Sequence, residues 1–199
     1  MRSEDEFKRT VCGVGYIGDG VYKVKVAGKL TKEYVTWKNM LQRVYNEKFQ
    51  KSNKSYIGAT VCDEWHNYQN FAHWYNAQKK EAGYVLDKDI LAGGNAGRCY
   101  APETTRLVPQ EINNLLIRQS YTSSGLPVGV AKRKDGYVAR IRINGGLVTL
   151  GKYETAELAY ASYLRAKQDN IRRVAEKYRF KVCEDIYEAL INYEVKPFR

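Results

Sequence analysis

Residues 84–114 have the sequence YVLDKDILAGGNAGRCYAPETTRLVPQEINN and contain the clearest structural signal in the chain. A short apolar run ends in an acidic cluster that includes Asp87 and Asp89, and a glycine-rich loop follows. The chain then becomes helical over about 109–118, because a proline suits the first turn of a helix. Carboxylate and amide oxygens are hard ligands that suit Mg²⁺. We therefore expect a carboxylate of this cluster and an asparagine of the helix to hold one Mg²⁺ ion between a strand and a helix.

This order of parts is typical of nucleases that bind a single divalent metal ion. Such sites normally use a histidine as the general base, and residues 84–114 contain no histidine. The pattern therefore indicates a metal-dependent nuclease that lacks the usual base. The alternatives at this stage are an enzyme that cuts DNA and a DNA-binding protein without nuclease activity.

The composition of the chain favours a nucleic-acid partner. Its 199 residues carry a formal net charge of +11 and include 17 tyrosines. Basic charge together with many amphipathic aromatic rings is typical of proteins that bind a polyanionic backbone with stackable bases. The alternative is a soluble basic protein without such a partner. We find no signal peptide and no apolar run long enough to span a bilayer, so we expect a cytoplasmic protein with no membrane partner.

The four cysteines are widely spaced and form no Cys-x-x-Cys pair, so no standard zinc or disulfide spacing is present. The best candidate for a zinc site combines Cys62 and Cys99 with His66 and His73. The more common alternative for such thiols is that they pack as small buried hydrophobic side chains.

The hydrophobic pattern predicts two domains. Small polar residues over 120–124 are typical of a linker, which separates a first domain of residues 1–119 from a second domain of residues 125–199. Within the second domain, three short strands separated by Asp-Gly and Gly-Gly turns span about 128–151. We expect the fold class to be α+β, with an N-terminal region of helices and a strand–strand–helix metal motif.

A long helix predicted over about 155–178 would cover the sheet of the second domain, because its apolar side chains recur on one face. Three antiparallel strands packed on one helix form a complete two-layer domain. Lys167 interrupts the apolar stripe, and we expect its aliphatic stem to cover the gap while its charge reaches solvent. A final helix is predicted over about 184–193.

The middle strand of the predicted sheet separates its side chains onto two faces. Ala139, Ile141 and Ile143 alternate with Arg140 and Arg142, and strand side chains point alternately to opposite faces. Because the apolar face must cover the helix, we expect both arginines on the open face. Other basic residues lie in the adjoining hairpin and after the third strand: Lys132, Arg133, Lys134 and Lys152.

These basic residues indicate a surface that binds double-stranded DNA, with Lys132 on the same open face as the arginines. Residues 125–178 contain 11 Lys and Arg against 5 Asp and Glu, a net +6 out of +11 for the chain. A small sheet can enter the major groove, where arginine pairs with guanine and lysine binds phosphates. The alternative is an ordinary solvated sheet face.

The residue pattern of the second domain resembles a known type of DNA-binding domain. Within residues 129–160 the order is Gly-Val, Ala-Arg-Ile, Leu-Gly-Lys-Tyr and Thr-Ala-Glu-Leu-Ala-Tyr. This order resembles the ethylene-responsive-factor type of domain, in which three strands lie in the major groove and one helix packs behind them.

Nearly the whole chain resembles a family of bacteriophage proteins described as HNH endonuclease-like, in which a nuclease-like half precedes an ethylene-responsive-factor type domain. The segments that carry the resemblance are residues 13–16, 37–45, 61–67, 86–91, 108–113 and 187–190. The resemblance implies a ββα-metal motif in the N-terminal half.

The resemblance also assigns roles to residues of the predicted metal motif. Asp87 matches the metal-binding aspartate and Asn113 matches the helix asparagine. Lys88 stands where the family has its general-base histidine, and Thr104 stands where an asparagine steadies that histidine. Asp89 is the nearest substitute for activating water.

Two histidines outside the motif, His66 and His73, are further candidates for the missing base. The resemblance implies a phage-encoded hydrolase of the homing-endonuclease type, which would nick or cut duplex DNA in the host cytoplasm with Mg²⁺ or Mn²⁺ and no organic cofactor. The alternatives are a catalytically degenerate DNA-binding or regulatory protein, and a protein whose basic surface meets an acidic host protein.

Overall fold

The computed structural model describes residues 8–91, 98–116 and 125–197. It is a mixed α+β chain that divides into two compact units, Met1–Gln110 and Glu111–Arg199. Within the described residues, no helix has the length and apolar character needed to cross a membrane.

The division between the units falls inside the predicted first domain, residues 1–119. The helix that begins at Gln110 therefore contributes Asn113 to the second unit rather than to the first. The predicted linker, residues 120–124, lies outside the residues that the structure describes.

Apart from two short 3₁₀ helices, Lys54–Tyr56 and Asp63–His66, the described part of the first unit consists of short strands and three α-helices. In chain order these are β1 (Lys25–Val26), β2 (Lys29–Leu30), α1 (Lys32–Tyr45), α2 (Glu47–Ser52), β3 (Thr60–Val61), α3 (Tyr68–Ala77), β4 (Tyr84–Asp87), β5 (Cys99–Tyr100) and β6 (Arg106–Pro109).

The core of the first unit is aromatic and is built on α1 and α3. The hydroxyl of Thr31 accepts a hydrogen bond from the third residue beyond it and so caps the N-terminus of α1. Trp37 of α1 is fully buried, and its indole N–H donates to the backbone carbonyl of Trp65 at 2.7 Å. Phe71 of α3 packs edge-on against Trp65. These rings belong to the core and are not free to stack on bases.

Four short strands of the first unit form two pairs. β4 pairs antiparallel with β6, with Asp87 opposite Arg106, and β3 pairs parallel with β5. Helix α4 (Gln110–Leu115) follows β6 without an intervening loop. The predicted order of strand, strand and helix is therefore present along the chain.

The second unit contains the sheet that the sequence predicts. Its described elements after α4 are β7 (Val130–Arg133), β8 (Gly136–Ile143), β9 (Gly146–Tyr153), α5 (Ala156–Tyr178) and α6 (Glu184–Ile191). The strands form one antiparallel sheet in the order β7-β8-β9, α5 packs across all three strands, and α6 packs on α5. The expectation of a three-stranded antiparallel sheet on one helix is confirmed.

Two glycine positions explain how the sheet of the second unit is built. The turn between β8 and β9 consists of Asn144 and Gly145, which both have positive φ, as two-residue hairpins of type I′ require. Gly129, just before β7, has a φ of +81° and lies so close to the ring of Tyr163 that a Cβ there would be 2.1 Å from it. The chain can therefore meet the helix face closely only with glycine at this position.

Candidate nucleic-acid interface and metal site

One face of the second unit's sheet carries both predicted arginines. Tyr137 and Ala139 pack with Ala159 on the side of α5. Because strand side chains alternate, Arg140 and Arg142 point to the opposite face. Arg142 is exposed and donates to the carbonyl oxygen of the Gly145 turn residue at 2.8 Å, whereas the guanidinium of Arg140 has no hydrogen-bond or ion-pair partner in the described part of the chain.

Lys132 does not share that face, so this expectation is wrong. In the antiparallel register Lys132 lies directly opposite Tyr137, and directly paired residues point to the same side of a sheet. Tyr137 is on the α5 side, so Lys132 is too. The residue that follows it, Arg133, lies on the arginine face instead and is exposed.

A bulge in β9 sets which residues of that strand join the arginines. Ala139 pairs with Gly151 and Arg140 pairs with Thr149, so Leu150 is an extra residue in β9. Leu150 packs on the α5 side. The bulge therefore restores the alternation and brings Thr149 onto the arginine face. The alternation of residues in the sequence did not predict that Thr149 lies on the arginine face. The glycine that follows Leu150 is the one local sequence signal of a bulge.

Lys152 also lies on the arginine face, because it pairs with Val138 of β8, one residue before Ala139. Its ammonium is 3.2 Å from the carboxylate of Asp135, in the turn that joins β7 and β8. Lys134 occupies the same turn and is exposed. We define the basic face as the four basic side chains on this side of the sheet: Arg133, Arg140, Arg142 and Lys152.

In the first unit, the carboxylate of Asp87 holds a tight turn at the end of β4. Its Oδ1 accepts hydrogen bonds from the backbone N–H groups of Asp89, at 3.0 Å, and Ile90, at 2.9 Å. Burial raises the pKa of Asp87, and these two hydrogen bonds act against that effect. One carboxylate oxygen is thus committed to the backbone, and a cation would have to use the other.

Lys88 is a poor replacement for a histidine base in this arrangement. It is 7% exposed, and its ammonium lies 2.5 Å from the carboxylate of Asp89 and 5.6 Å from the centre of the Tyr100 ring. An ammonium in an ion pair is in the wrong protonation state to accept a proton. The same pair engages Asp89, the other candidate for activating water.

Thr104 has a local structural role. Its hydroxyl donates to the carbonyl oxygen of Cys99 at 2.7 Å and accepts from the backbone N–H of Ala101 at 3.1 Å. These bonds close the loop between β5 and β6. The hydroxyl therefore orders this loop, and neither bond involves an imidazole.

Both histidines contact tyrosines of the first unit. His66 Nε2 lies 2.9 Å from the hydroxyl of Tyr45, and His73 Nδ1 lies 3.2 Å from the hydroxyl of Tyr22. Among the residues described, no three His, Cys, Asp or Glu side chains come together as a group that could hold a metal ion. The described residues therefore do not assemble the candidate zinc site of Cys62, His66, His73 and Cys99.

Asn113 is half-buried on α4, in the second unit, whereas Asp87 belongs to the first. The neighbouring Glu111 ties α4 to α5: its Oε2 accepts from the ammonium of Lys177 at 2.5 Å and from the hydroxyl of Tyr178 at 2.9 Å. The joint binding of one cation by Asp87 and Asn113 stays a prediction.

Comparison with known proteins identifies no relative. The chain matches no protein-family model, no curated protein and no solved structure.

Proposed function

We propose that the protein binds duplex DNA through the basic face of its three-stranded sheet. The observation that carries the proposal is the convergence of four basic side chains on the side of the sheet that α5 leaves open. A sheet of this size fits the major groove of B-DNA. The proposal is consistent with the net charge of +11 and does not depend on any catalytic residue.

The position of each basic residue along the strands suggests its role. Arg140 and Arg142 lie in the central strand, where a guanidinium can reach O6 and N7 of guanine with two parallel hydrogen bonds. Arg133 and Lys152 lie nearer the β7–β8 turn, where long cationic side chains bind phosphates and fix the orientation of the sheet. Thr149, next to the arginines, adds a hydroxyl that can contact any base edge.

The salt dependence of DNA binding tests this division of roles. Removing one side chain that binds a phosphate should reduce the slope of log K against log salt by about 0.9. Replacing both Arg133 and Lys152 with alanine should therefore lower the slope by about 2 and weaken binding to all sequences alike. An unchanged slope would reject these residues as phosphate-binding groups. Weak binding of the parent protein at low salt would instead favour an acidic protein partner.

A second candidate function is metal-dependent nicking of DNA by an HNH-like site. The observation that favours it is the order of three elements along the chain. Strand β4 ends in Asp87, β6 is its antiparallel partner, and helix α4 carries Asn113. The uncommitted oxygen of Asp87 and the amide oxygen of Asn113 are hard donors that suit Mg²⁺ or Mn²⁺. When bound, such a cation would supply an activated water and stabilise the leaving oxygen.

Among the described residues of the turn at Asp87, the two candidates for the base are both occupied. Lys88 and Asp89 form an ion pair with each other, so we expect any cutting to be slow and to rise with pH. A plasmid-nicking assay with Mg²⁺, Mn²⁺ and chelator tests it. Asp87→Asn keeps a side-chain oxygen that can accept from the backbone N–H groups of the turn, and it should abolish nicking. Lys88→His should increase nicking. If neither the parent nor Lys88→His cuts with either metal, only the DNA-binding function remains.

A further inference from the structure

A short hairpin of the first unit leaves both of its faces in solvent. We call residues 23–32 the basic hairpin, in which β1 and β2 pair antiparallel. Every residue of both strands is exposed, including Val26, at 60%, and Leu30, at 45%. The basic hairpin contains no aspartate or glutamate, and it contains four lysines: Lys23, Lys25, Lys29 and Lys32. Because none of these ammonium groups has an ion-pair partner among the described residues, the hairpin combines uncompensated positive charge with exposed apolar surface.

The base of the basic hairpin is fixed to the core of the first unit. The backbone N–H of Thr31 donates to the carbonyl oxygen of Val24 at 3.0 Å, and its hydroxyl donates to that of Lys23 at 3.2 Å. The hydroxyl of Tyr68, a fully buried residue of α3, donates to the same Lys23 carbonyl at 3.2 Å. An isolated two-stranded hairpin is only marginally stable in water. These bonds therefore preorganise the hairpin, which reduces the conformational entropy lost when it binds a partner.

The turn of the basic hairpin carries almost no side chain. It consists of Ala27, with a φ of +49°, and Gly28, with a φ of +76°, as a two-residue turn of type I′ requires. Asparagine is favoured over alanine at the first of these positions, and an alanine there costs roughly 1–2 kcal/mol. Nothing lies within 4 Å of a Cβ added at Gly28. The end of the hairpin is therefore narrow and open, so its backbone can approach another molecule closely.

The strand register places one lysine and one apolar side chain on each face of the basic hairpin. Lys25 pairs directly with Leu30, and Val26 pairs directly with Lys29. Paired residues point to the same side of a hairpin, and successive residues point to opposite sides. An element that lies on a membrane collects its apolar side chains on one face, which this hairpin does not do. Ammonium groups on both faces suit a partner that presents negative charge to both.

A groove of duplex DNA is such a partner, because a row of phosphates lines each of its two walls. A hairpin that enters a groove turn first has one wall opposite each face. A ribbon with side chains on both faces is about 10 Å thick, by analogy with the spacing of packed sheets. The major groove is about 12 Å wide and admits a two-stranded ribbon, whereas the minor groove is only about 6 Å wide.

We propose that the basic hairpin is a second DNA-binding element, which enters the major groove turn first. Lys25 and Lys29 bind phosphates on opposite walls of the groove. Val26 and Leu30 supply apolar surface for base edges such as the thymine methyl group. This inference rests on the proposed function, because the ligand is again duplex DNA, but it involves none of the residues of the basic face.

Affinity of the full-length protein for a labelled duplex, measured by fluorescence anisotropy over a range of salt concentrations, tests this proposal. Lys25→Met/Lys29→Met removes both charges and keeps long side chains. It should lower the slope of log K against log salt by about 2 and weaken binding at least tenfold at about 0.1 M salt. Lys25→Arg/Lys29→Arg should retain the slope and the affinity, because a guanidinium also binds phosphate.

The matched control is Lys48→Met/Lys51→Met, which removes two exposed lysines of α2 in the same unit and changes the net charge by the same amount. It should change the slope by less than about 0.5. An equal loss in this control overturns the proposal, because the effect would then come from net charge alone. Circular dichroism establishes that every variant is folded.

Comparison with Arg140→Ala/Arg142→Ala separates failure of this inference from failure of the proposed function. If only the arginine variant loses affinity, the basic hairpin does not bind DNA and the proposal is overturned. If only the hairpin variant loses affinity, the hairpin binds DNA and the basic face does not. Vesicles of anionic phospholipid provide the last arm of the test. Vesicle binding that Lys25→Met/Lys29→Met abolishes, with DNA affinity unchanged, would overturn the proposal in favour of a membrane surface.

Discussion

The basic face of the sheet and the turn at Asp87 are both rich in charged side chains, but the two regions use those charges differently. On the sheet, the guanidinium of Arg140 has no partner among the described residues. In the turn, Asp87 accepts two backbone N–H groups, and Lys88 is paired with Asp89. The first arrangement leaves side chains free for a partner molecule. The second holds its own backbone in place, which suits a structural element better than a catalytic site.

The two units can be followed separately in solution. All three tryptophans of the chain, Trp37, Trp65 and Trp74, lie in the first unit. Tryptophan fluorescence therefore reports the unfolding of that unit, whereas far-ultraviolet circular dichroism reports both. This difference allows the effect of a substitution to be assigned to one region.

The largest expected effect is that of Gly129→Ala in the second unit. A Cβ at this position would lie 2.1 Å from the Tyr163 ring, and φ is +81°. Backbone strain and overpacking together should cost about 2–5 kcal/mol of unfolding free energy. Urea unfolding followed by circular dichroism measures it, and the tryptophan transition should not move.

Gly145→Ala is the matched control for Gly129→Ala. Its φ is +79°, but nothing lies within 4 Å of the added Cβ, so only backbone strain of about 1 kcal/mol is expected. Equal losses for the two variants would contradict the close approach of Gly129 to α5. A shift of the tryptophan transition in Gly129→Ala would contradict the separation of the two units.

Asp87→Ala should destabilise the first unit by about 2–4 kcal/mol, because two backbone N–H groups lose their acceptor. Asp87→Asn keeps an oxygen acceptor and removes a buried charge, so it should cost less than about 1 kcal/mol. Tryptophan fluorescence in urea measures both variants. If Asp87→Ala is as stable as the parent, the carboxylate does not hold the turn and both of its oxygens are available to a cation.

The smallest expected effect is a pH dependence of opposite sign in the two units. Burial raises the pKa of Asp87, so the folded first unit disfavours the charged carboxylate. The charged carboxylate therefore lowers the unfolding free energy at neutral pH, and this loss disappears as pH falls through the raised pKa. Burial alone would raise the pKa of Glu111, but hydrogen bonds from Lys177 and Tyr178 outweigh it and lower the pKa. The stability that Glu111 provides is therefore present above its ordinary pKa and is lost as pH falls through the lowered one.

Neutral variants isolate these pH effects. As pH is lowered from about 7 to about 3, the parent should become more stable relative to Asp87→Asn, as measured by the tryptophan transition. Over the same range it should become less stable relative to Glu111→Gln, as measured by circular dichroism. Because Glu111 is partly exposed and screened by solvent, its effect should be about 1 kcal/mol or less. The same sign for both pairs of proteins would contradict the assignment of these pKa shifts.

The sheet of the second unit was predictable because its signals are local. The expected strand at 137–143 is β8, Gly136–Ile143, and the expected helix at 155–178 is α5, Ala156–Tyr178. Strict alternation, two-residue turns and a 3.6-residue apolar stripe each depend on neighbouring residues only. The residues of a segment and their immediate neighbours are enough to locate such elements.

The faces of the flanking strands were less predictable, because they depend on how strands pair. Lys132 lies opposite Tyr137 on the α5 side, and Thr149 joins the arginines through the bulge at Leu150. A shift of one residue in register moves a side chain to the other face. Only the pairing of one strand with the next specifies that shift.

The local role of Asp87 also has a signal in the sequence. An aspartate at the end of a strand often accepts hydrogen bonds from backbone N–H groups two and three residues later, as Asp87 does from Asp89 and Ile90. The same carboxylate in the same place also fits a metal ligand. The sequence cannot separate these two roles, because they differ only in which atoms the carboxylate oxygens contact.

Affinity for duplex DNA in Arg140→Ala/Arg142→Ala, compared with Lys132→Ala, tests the central claim most directly. Fluorescence anisotropy with a labelled duplex measures both, after circular dichroism has established that both are folded. The double variant should bind more weakly by on the order of 1–3 kcal/mol for each base contact that the substitutions remove. Lys132→Ala, on the opposite side of the sheet, should change affinity by less than about 0.5 kcal/mol. Unchanged affinity in the double variant, or an equal loss in Lys132→Ala, would contradict DNA binding through the basic face.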